Sequence, residues 1–267
     1  SPLARPILGS GGSLAGMTGE SLRAYRDGHY RPQDIVAALA GSFTQAQVDK
    51  LRDCLSGLTP GPLPQYEPAA YRPAVTARKK ATEQNHLILA FPAFSYLDPR
   101  RAQLMLLNAL LGGGCSSRLF QEVREKRGLC YSVYSYVADH EETGLLGIYT
   151  AVGPEQEQEA LDTVREVVCR LAEEGPAQEE LDRVREQAKA NLLMGAESVQ
   201  TRMSHLGSSA LLCGRVREEE EILALYDAVT REQVRELAGE LFQMDQASLS
   251  AVGRVGAAQD YARWLGR

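Results

Sequence analysis

Two segments of this chain, one near each end, carry the same order of residue types, and this repeat constrains the fold more than any other feature. Each segment reads as a helix, an apolar strand that ends in glycine, and a second helix. The pairs that align at one constant offset are Thr18 with Thr230, Leu22 with Val234, Tyr30 with Phe242 and Gly41 with Gly253. If this offset is the length of one repeat, the first copy holds only its last part, and its counterpart of residues 80–212 would precede residue 1.

The first copy predicts a helix followed by a strand. Thr18 is a typical N-cap for a helix over residues 18–28, in which Leu22 and Tyr25 are predicted to lie on the buried face. The apolar run over residues 34–41 favours a strand.

A proline-rich stretch divides the two copies. Proline at such density cannot form a helix or a central strand, so residues 58–79 are predicted to be an extended linker. Residues 1–57 are then the remainder of the first repeat, and residues 80–267 are the second repeat. The prolines concerned are Pro60, Pro62, Pro64, Pro68 and Pro73.

The second copy predicts an α+β domain. Turn residues separate its apolar segments, and the polar residues 139–142 join two strands as a hairpin. Strands are predicted over 86–91, 130–137, 144–152 and 247–254, and helices over 100–111, 155–174, 178–196, 198–213, 218–227, 230–242 and 257–265.

The overall charge and hydropathy argue against two classes of partner. The formal net charge is −6 and the pI is about 5.4, whereas nucleic-acid binding needs a basic surface. The sequence has no apolar run long enough to span a bilayer and no signal-peptide pattern. We therefore expect neither a nucleic acid nor a membrane as partner, and a cytoplasmic location is favoured.

The five cysteines have no redox or metal-binding pattern. They form neither a CxxC motif nor a pair with zinc-ligand spacing, and they stand at positions 54, 115, 130, 169 and 213. Reduced, largely buried thiols are predicted.

Arg124 and Tyr131 are the candidate site residues. Tyr131 follows Arg124 by seven positions, with a short charged helix before it and a strand after it. A guanidinium offers fixed donors to a peptide carbonyl or carboxylate, and a phenol adds another donor. The alternative is structural: Arg124 pairs with Glu122 or Glu125 on a solvated helix, and Tyr131 fills a sheet face.

A turn rich in glycine and serine precedes this segment and is predicted to support it. Consecutive glycines can present backbone amides to an anion, but no phosphate-binding fingerprint surrounds them. A turn that ends a helix and lets two backbones approach closely is favoured instead. The supporting residues are Gly112, Gly113, Gly114, Ser116 and Ser117.

The order of glycine turn, charged helix, arginine and tyrosine resembles a segment in the C-terminal half of the pitrilysin-like (M16) zinc peptidases. The residues His29-Tyr30-Arg31-Pro32 similarly resemble the close of their N-terminal domain. The resemblance implies an α+β fold of the M16 type, with helices packed on an antiparallel sheet. It also implies a tandem repeat whose first copy is truncated here, so that residues 80–267 form the second, inactive domain.

The resemblance further implies where the metal chemistry lies. Members of the family hold zinc with an inverted His-x-x-Glu-His helix in their N-terminal half, and this motif does not occur in the sequence. Of the four histidines, His140 alone has other ligand types beside it, Glu141 and Glu142, in a stretch typical of a solvated hairpin tip. No metal site or cofactor is therefore expected in this chain, and zinc is assigned to an upstream half.

These implications define three hypotheses for function. The first is the substrate-binding, zinc-free portion of a metalloendopeptidase, in which Arg124 and Tyr131 hold the peptide carbonyl while a zinc-bearing half or subunit performs the hydrolysis. The chain alone would then be inactive. The second is a naturally inactive M16 partner subunit that binds peptide or completes a complex, and the third is a purely structural subunit. The expected partners are the zinc-bearing half and an unfolded peptide, and a homodimer is left open.

Overall fold

The computed structural model describes residues 3, 5–62, 65 and 69–267. The chain divides into two compact units. The first contains Ser1–Ala70 and Leu192–Glu219, and the second contains Tyr71–Asn191 and Glu220–Arg267. Within the described residues, no helix combines the length and the apolar character that crossing a bilayer requires.

Among the described residues, the second unit contains one five-stranded sheet, in the order β1-β5-β2-β4-β3. Neighbouring strands are antiparallel except for β1 and β5, which run parallel. The expected α+β fold is confirmed, with one parallel pair at an edge of the sheet. The strands are β1 (Val75–Lys79), β2 (Asn85–Ala93), β3 (Cys130–Asp139), β4 (Gly144–Val152) and β5 (Ser248–Gly253).

Strand β1 corrects the end of the predicted linker, residues 58–79. Val75 to Lys79 pair in register with the residues of β5. The last proline of the linker is Pro73, so every residue of β1 has an N–H group to donate to the ladder. Residues 63, 64 and 66–68 of the same predicted linker lie outside the described part of the chain.

Helices cover one face of the sheet. Along β2 and β5, buried side chains such as Leu87, Leu89 and Leu249 alternate with partly exposed ones, as expected for a sheet with one packed face. The buried side chains join leucines and valines of α4, α5 and α9 in one core. Over both units, the helices in chain order are α1 (Gly11–Ala15), α2 (Gly19–His29), α3 (Gln45–Ser56), α4 (Arg101–Gly112), α5 (Glu157–Glu174), α6 (Gln178–Ala196), α7 (Val199–Cys213), α8 (Glu219–Asp227), α9 (Arg231–Leu241) and α10 (Ala258–Trp264); α1, α2, α3 and α7 lie in the first unit.

A buried polar network fixes the end of β5. Gly253 has a φ of +143°, and a Cβ there would overlap the side chain of Asn85. The Asn85 side-chain oxygen accepts a hydrogen bond of 2.6 Å from the N–H of Arg254, while its amide donates to the Glu157 carboxylate. The Tyr261 hydroxyl donates to the same carboxylate at 2.5 Å. Glycine is required here because both the space and the backbone conformation exclude a side chain.

The secondary structure repeats at the same offset as the sequence. Helix α9 begins and ends at the residues that follow the first and last residues of α2 by the interval between Thr18 and Thr230. The 3₁₀ turns Pro32–Asp34 and Met244–Gln246 are separated by this interval too. Two helices and two 3₁₀ turns therefore lie at the interval of the aligned residues, whereas the assignment of residues 1–57 to a first repeat stays a prediction.

Local signals at the ends of the repeated elements also match. Thr18 and Thr230 cap their helices, each accepting a hydrogen bond from the N–H three residues later, at 3.1 and 3.2 Å. Gly41 and Gly253 both adopt positive φ, +104° and +143°. The caps depend on residues three positions apart, and for that reason they form in both copies.

The predicted strand over residues 34–41 is not formed. Ile35 has an extended backbone, with φ −115° and ψ 126°, but residues 35–40 do not pair as a strand. A strand needs a partner for its N–H and C=O groups, and in the second copy β5 obtains partners from β1 and β2. The described residues of the first unit supply no such partner.

The predicted burial of Leu22 and Tyr25 is also wrong, although the predicted helix is correct. Leu22 is 56% exposed whereas its counterpart Val234 is 0% exposed, and Tyr25 is exposed as well. Tyr30 is 56% exposed whereas its counterpart Phe242 is 5% exposed. The side chains that would cover this face are not among the described residues of the first unit.

Candidate functional site

The predicted short charged helix before Tyr131 is a π-helix, Phe120–Lys126. π-helices are rare and often occur at functional sites. The helix closes through hydrogen bonds of 3.0 Å from Gly128 N–H to Arg124 C=O and from Leu129 N–H to Val123 C=O. Gly128 has a φ of +63°, so the chain can reverse directly into β3.

Anchors at both ends hold this π-helix against α5 and α6. Arg118, just before it, donates to both carboxylate oxygens of Glu180, at 3.1 and 2.7 Å. Arg127, just after it, donates to Thr163 Oγ1 and to Glu166 Oε2, each at 2.7 Å. The hydrogen bonds from Arg118 lower the pKa of Glu180. Because the paired donors of Arg118 on one carboxylate define a direction as well as a distance, the Arg118 anchor orients the start of the π-helix, and Arg127 fixes its end.

Tyr131 lies at a β-bulge. Cys130 pairs with Val152 and Ser132 pairs with Ala151, so Tyr131 is an additional residue without a partner on β4. Its side chain is 77% exposed. A bulge changes the direction of a side chain relative to a regular strand, and here it places the tyrosine beside the π-helix.

The guanidinium of Arg124 contacts two aromatic rings. Its central carbon lies 4.8 Å from the ring centre of Tyr131 and 4.7 Å from the ring centre of Phe120. Each such cation–π contact contributes about 0.5–1 kcal/mol at an exposed site. The structure therefore brings the two predicted site residues into direct contact and adds Phe120 to them.

The structural alternative for Arg124 is met in part, through a long ion pair with Glu125. Its Nε lies 3.6 Å from Glu125 Oε1, which is longer than a hydrogen bond. Glu122, the other carboxylate considered, pairs with Lys126 at 2.7 Å. Two aromatic rings and this long ion pair thus surround the guanidinium.

The predicted supporting loop acts mainly through close backbone approach. Gly112 is buried, and a Cβ there would overlap the backbone nitrogen of Ser135 in β3. Ser117 is buried, and its N–H donates to the Gly114 carbonyl at 3.0 Å. The other members, Gly113, Gly114 and Ser116, are exposed. The loop carries the chain from α4 to the π-helix.

A family model described as the peptidase M16 inactive domain matches residues 16–188. This chain belongs to the peptidase M16 family. It is 37% identical over 246 residues to a zinc protease of Bacillus subtilis (strain 168), YmxG, covering 92% of this chain and 60% of that protein. It is 36% identical over 261 residues to the zinc protease SCO5738 of Streptomyces coelicolor, covering 94% of this chain and 57% of that protein. The M16 chain thus spans less than two thirds of the length of these relatives.

Solved structures agree with this assignment. The peptidase M16 inactive domain from Pseudomonas fluorescens superposes with a TM-score of 0.80 and 26% identity, over 96% of this chain and 62% of that one. A protease from Helicobacter pylori superposes with a TM-score of 0.77, over 92% of this chain and 61% of that one. Its identity is 17%, so it supports the fold alone.

The described residues of this M16 chain do not fit a zinc ion. They contain no group of three His, Cys, Asp or Glu side chains arranged to hold a metal. The His140 N–H donates to the Thr143 carbonyl at 2.7 Å, in keeping with the predicted hairpin tip.

The prediction of largely buried cysteines is wrong for this M16 chain. All five thiols are free, Cys54 and Cys115 are exposed, and the other three are partly exposed. Burial raises the pKa of the Cys130 thiol, so it is protonated at neutral pH and is a poor nucleophile.

Phe120, which contacts Arg124, was not among the predicted candidate site residues. A signal was available, because Phe120 and Arg124 are four positions apart, the spacing at which helical side chains become neighbours. The contact with Tyr131 across the turn had no comparable local signal.

Gly112→Ala is expected to destabilise the protein by about 2 kcal/mol or more, because the added methyl group would overlap backbone that cannot rotate away. Gly114→Ala is the matched control, since a Cβ at Gly114 meets no atom within 4 Å. Urea unfolding of both variants measures the difference. Equal free energies of unfolding would contradict the close approach of α4 and β3.

Proposed function

We propose that this chain is the substrate-binding, zinc-free portion of an M16-type metalloendopeptidase. A zinc-bearing half performs the hydrolysis, and this chain supplies Arg124 and Tyr131 to the carbonyl of the bound peptide. The observation that carries the proposal is the position of the Arg124 guanidinium, which lies against two aromatic rings while its N–H groups have, among the described residues, a single long contact, with Glu125.

This arrangement suits a peptide carbonyl on physical grounds. The guanidinium is planar and always charged, and its fixed N–H donors match an oxygen on which negative charge develops. Tyr131 adds a phenolic donor on an exposed side chain. Both groups are held by a π-helix and a bulge, so little reorganisation is needed when a peptide binds.

The exposed face of the first unit supports a zinc-bearing half as partner. Leu22, Tyr25 and Tyr30 are exposed, and the counterparts of Leu22 and Tyr30 in the second copy are buried. Leu39 and Phe43 are exposed in the same way, whereas their counterparts at the repeat offset, Ala251 and Val255, are buried. In the second copy, the counterparts of these side chains are packed in the core. A zinc-bearing half that covered the first unit in the same way would remove its exposed apolar side chains from water.

Cleavage of an internally quenched, extended peptide tests the proposal. The chain is assayed alone, and again after co-expression with the segment encoded immediately before it. We expect cleavage by the co-expressed pair only, and loss of cleavage on addition of a chelator.

The other outcomes separate the alternatives. Peptide binding without cleavage in either sample would favour the inactive partner subunit. Cleavage or stoichiometric zinc in the chain alone would contradict the proposal.

A further inference from the structure

A cluster of aromatic side chains lies on the face of the second unit's sheet that is opposite α4, α5 and α9. Tyr134 of β3 and Tyr149 of β4 are paired residues, and their ring centres are 5.0 Å apart. Tyr136 lies 6.2 Å from Tyr134 between ring centres. His86 of β2 joins the cluster through a hydrogen bond of 2.8 Å between its Nδ1 and the Tyr149 hydroxyl. We call these four residues the aromatic face.

Specific contacts fix the rings of the aromatic face. Tyr136 lies over Gly147 on the neighbouring strand, where a Cβ would come within 2.5 Å of the tyrosine ring. The hydrogen bond to His86 fixes the orientation of the Tyr149 ring. Burial raises the pKa of both Tyr136 and Tyr149, so their hydroxyls keep their protons at neutral pH.

The aromatic face continues directly from the Arg124 and Tyr131 site. Tyr131, Tyr134 and Tyr136 lie in this order along β3, with other residues between them. With a rise of about 3.3 Å per strand residue, Tyr134 and Tyr136 lie roughly 10 and 17 Å beyond Tyr131. An extended peptide has the same rise, so a peptide held at Arg124 could reach the aromatic face with side chains three to five residues away.

We propose that the aromatic face is a second binding site for the extended polypeptide substrate, taking aromatic or large aliphatic side chains. The inference rests on the proposed function, since Arg124 fixes the point from which the peptide extends. Rigid aromatic side chains with a hydroxyl bind apolar groups at low entropic cost and also donate hydrogen bonds. Three tyrosines and a histidine carry no negative charge, which suits a neutral peptide segment.

The test uses two fluorescein-labelled peptides built from glycine and serine. One carries two phenylalanines and the other carries serine at the same positions. Fluorescence anisotropy with the wild-type chain should show about fivefold tighter binding of the phenylalanine peptide, the size of one aromatic contact. Tyr134→Ala and Tyr149→Ala should remove this preference.

Two further variants make the result specific. Thr76→Ala changes an exposed residue on β1, at the other edge of the sheet, and should keep the preference. Arg124→Ala should weaken the binding of both peptides by the same factor. Unchanged binding in Arg124→Ala would contradict the proposed function, whereas the tyrosine variants test the aromatic face alone. Melting curves confirm that each variant is folded.

Three results would overturn the inference. The first is equal binding of the two peptides by the wild-type chain. The second is a preference that persists in Tyr134→Ala and Tyr149→Ala. The third is a tyrosine variant that keeps its peptide preference but no longer self-associates or no longer binds the zinc-bearing half. The aromatic face would then be a protein interface.

Discussion

Replacing Arg124 by alanine is expected to lower peptide cleavage by the chain paired with its zinc-bearing half about 10²–10³-fold in kcat, the usual effect of removing one donor to a developing oxyanion. The loss in kcat should exceed the rise in KM, because Arg124 also contacts the bound peptide but its donors act most strongly as the carbonyl oxygen becomes negative. Steady-state kinetics with an internally quenched peptide measures both constants.

Lys126→Ala is the matched control for Arg124→Ala. Lys126 belongs to the same π-helix and pairs with Glu122 on an exposed surface, so its removal should leave kcat unchanged. Phe120→Leu should lower kcat less than Arg124→Ala, and Phe120→Tyr should restore it by restoring a ring against the guanidinium. A normal kcat in Arg124→Ala would contradict the role assigned to this residue.

The double substitution Leu22→Asp and Tyr25→Asp is expected to weaken association with the zinc-bearing half more than about 100-fold, because it would bury two unpaired carboxylates. The isolated chain should keep its thermal stability, since both positions are exposed on it. Co-purification of the two halves and sedimentation velocity measure the association.

Ala24→Asp provides the control for charge alone. Ala24 lies on α2, turned away from Leu22 and Tyr25 by the helical period, so this variant should associate normally. Normal association of the double variant would show that another surface joins the halves.

Local features of the fold could be predicted from the sequence. The caps at Thr18 and Thr230 depend on side chains three residues apart, and helix α6 has the predicted bounds, Gln178–Ala196. Features that depend on distant residues were predicted less well. The exposure of Leu22 and the unpaired backbone of residues 35–40 depend on what lies beside them in space, which no local pattern encodes.

The candidate site shows the same division. Residue chemistry and spacing were sufficient to select Arg124 and Tyr131. Neither the π-helix nor the bulge was predicted, because both are choices of hydrogen-bond register that many side-chain patterns permit. Phe120 was therefore missed, although it lies as close to the guanidinium as Tyr131 does.

The π-helix and the bulge also determine which changes of sequence length this segment tolerates. The π-helix, before Gly128, has more residues per turn than an α-helix, and the bulge, after Gly128, adds one residue to β3. Loss of one residue from the first would rotate Arg124 about the helix axis by about 100°, and loss of one from the second would return Tyr131 to the ordinary alternation of β3. The number of residues between Arg124 and Tyr131 therefore sets the relative orientation of their side chains. A deletion between them would separate the two side chains even though both residues remain.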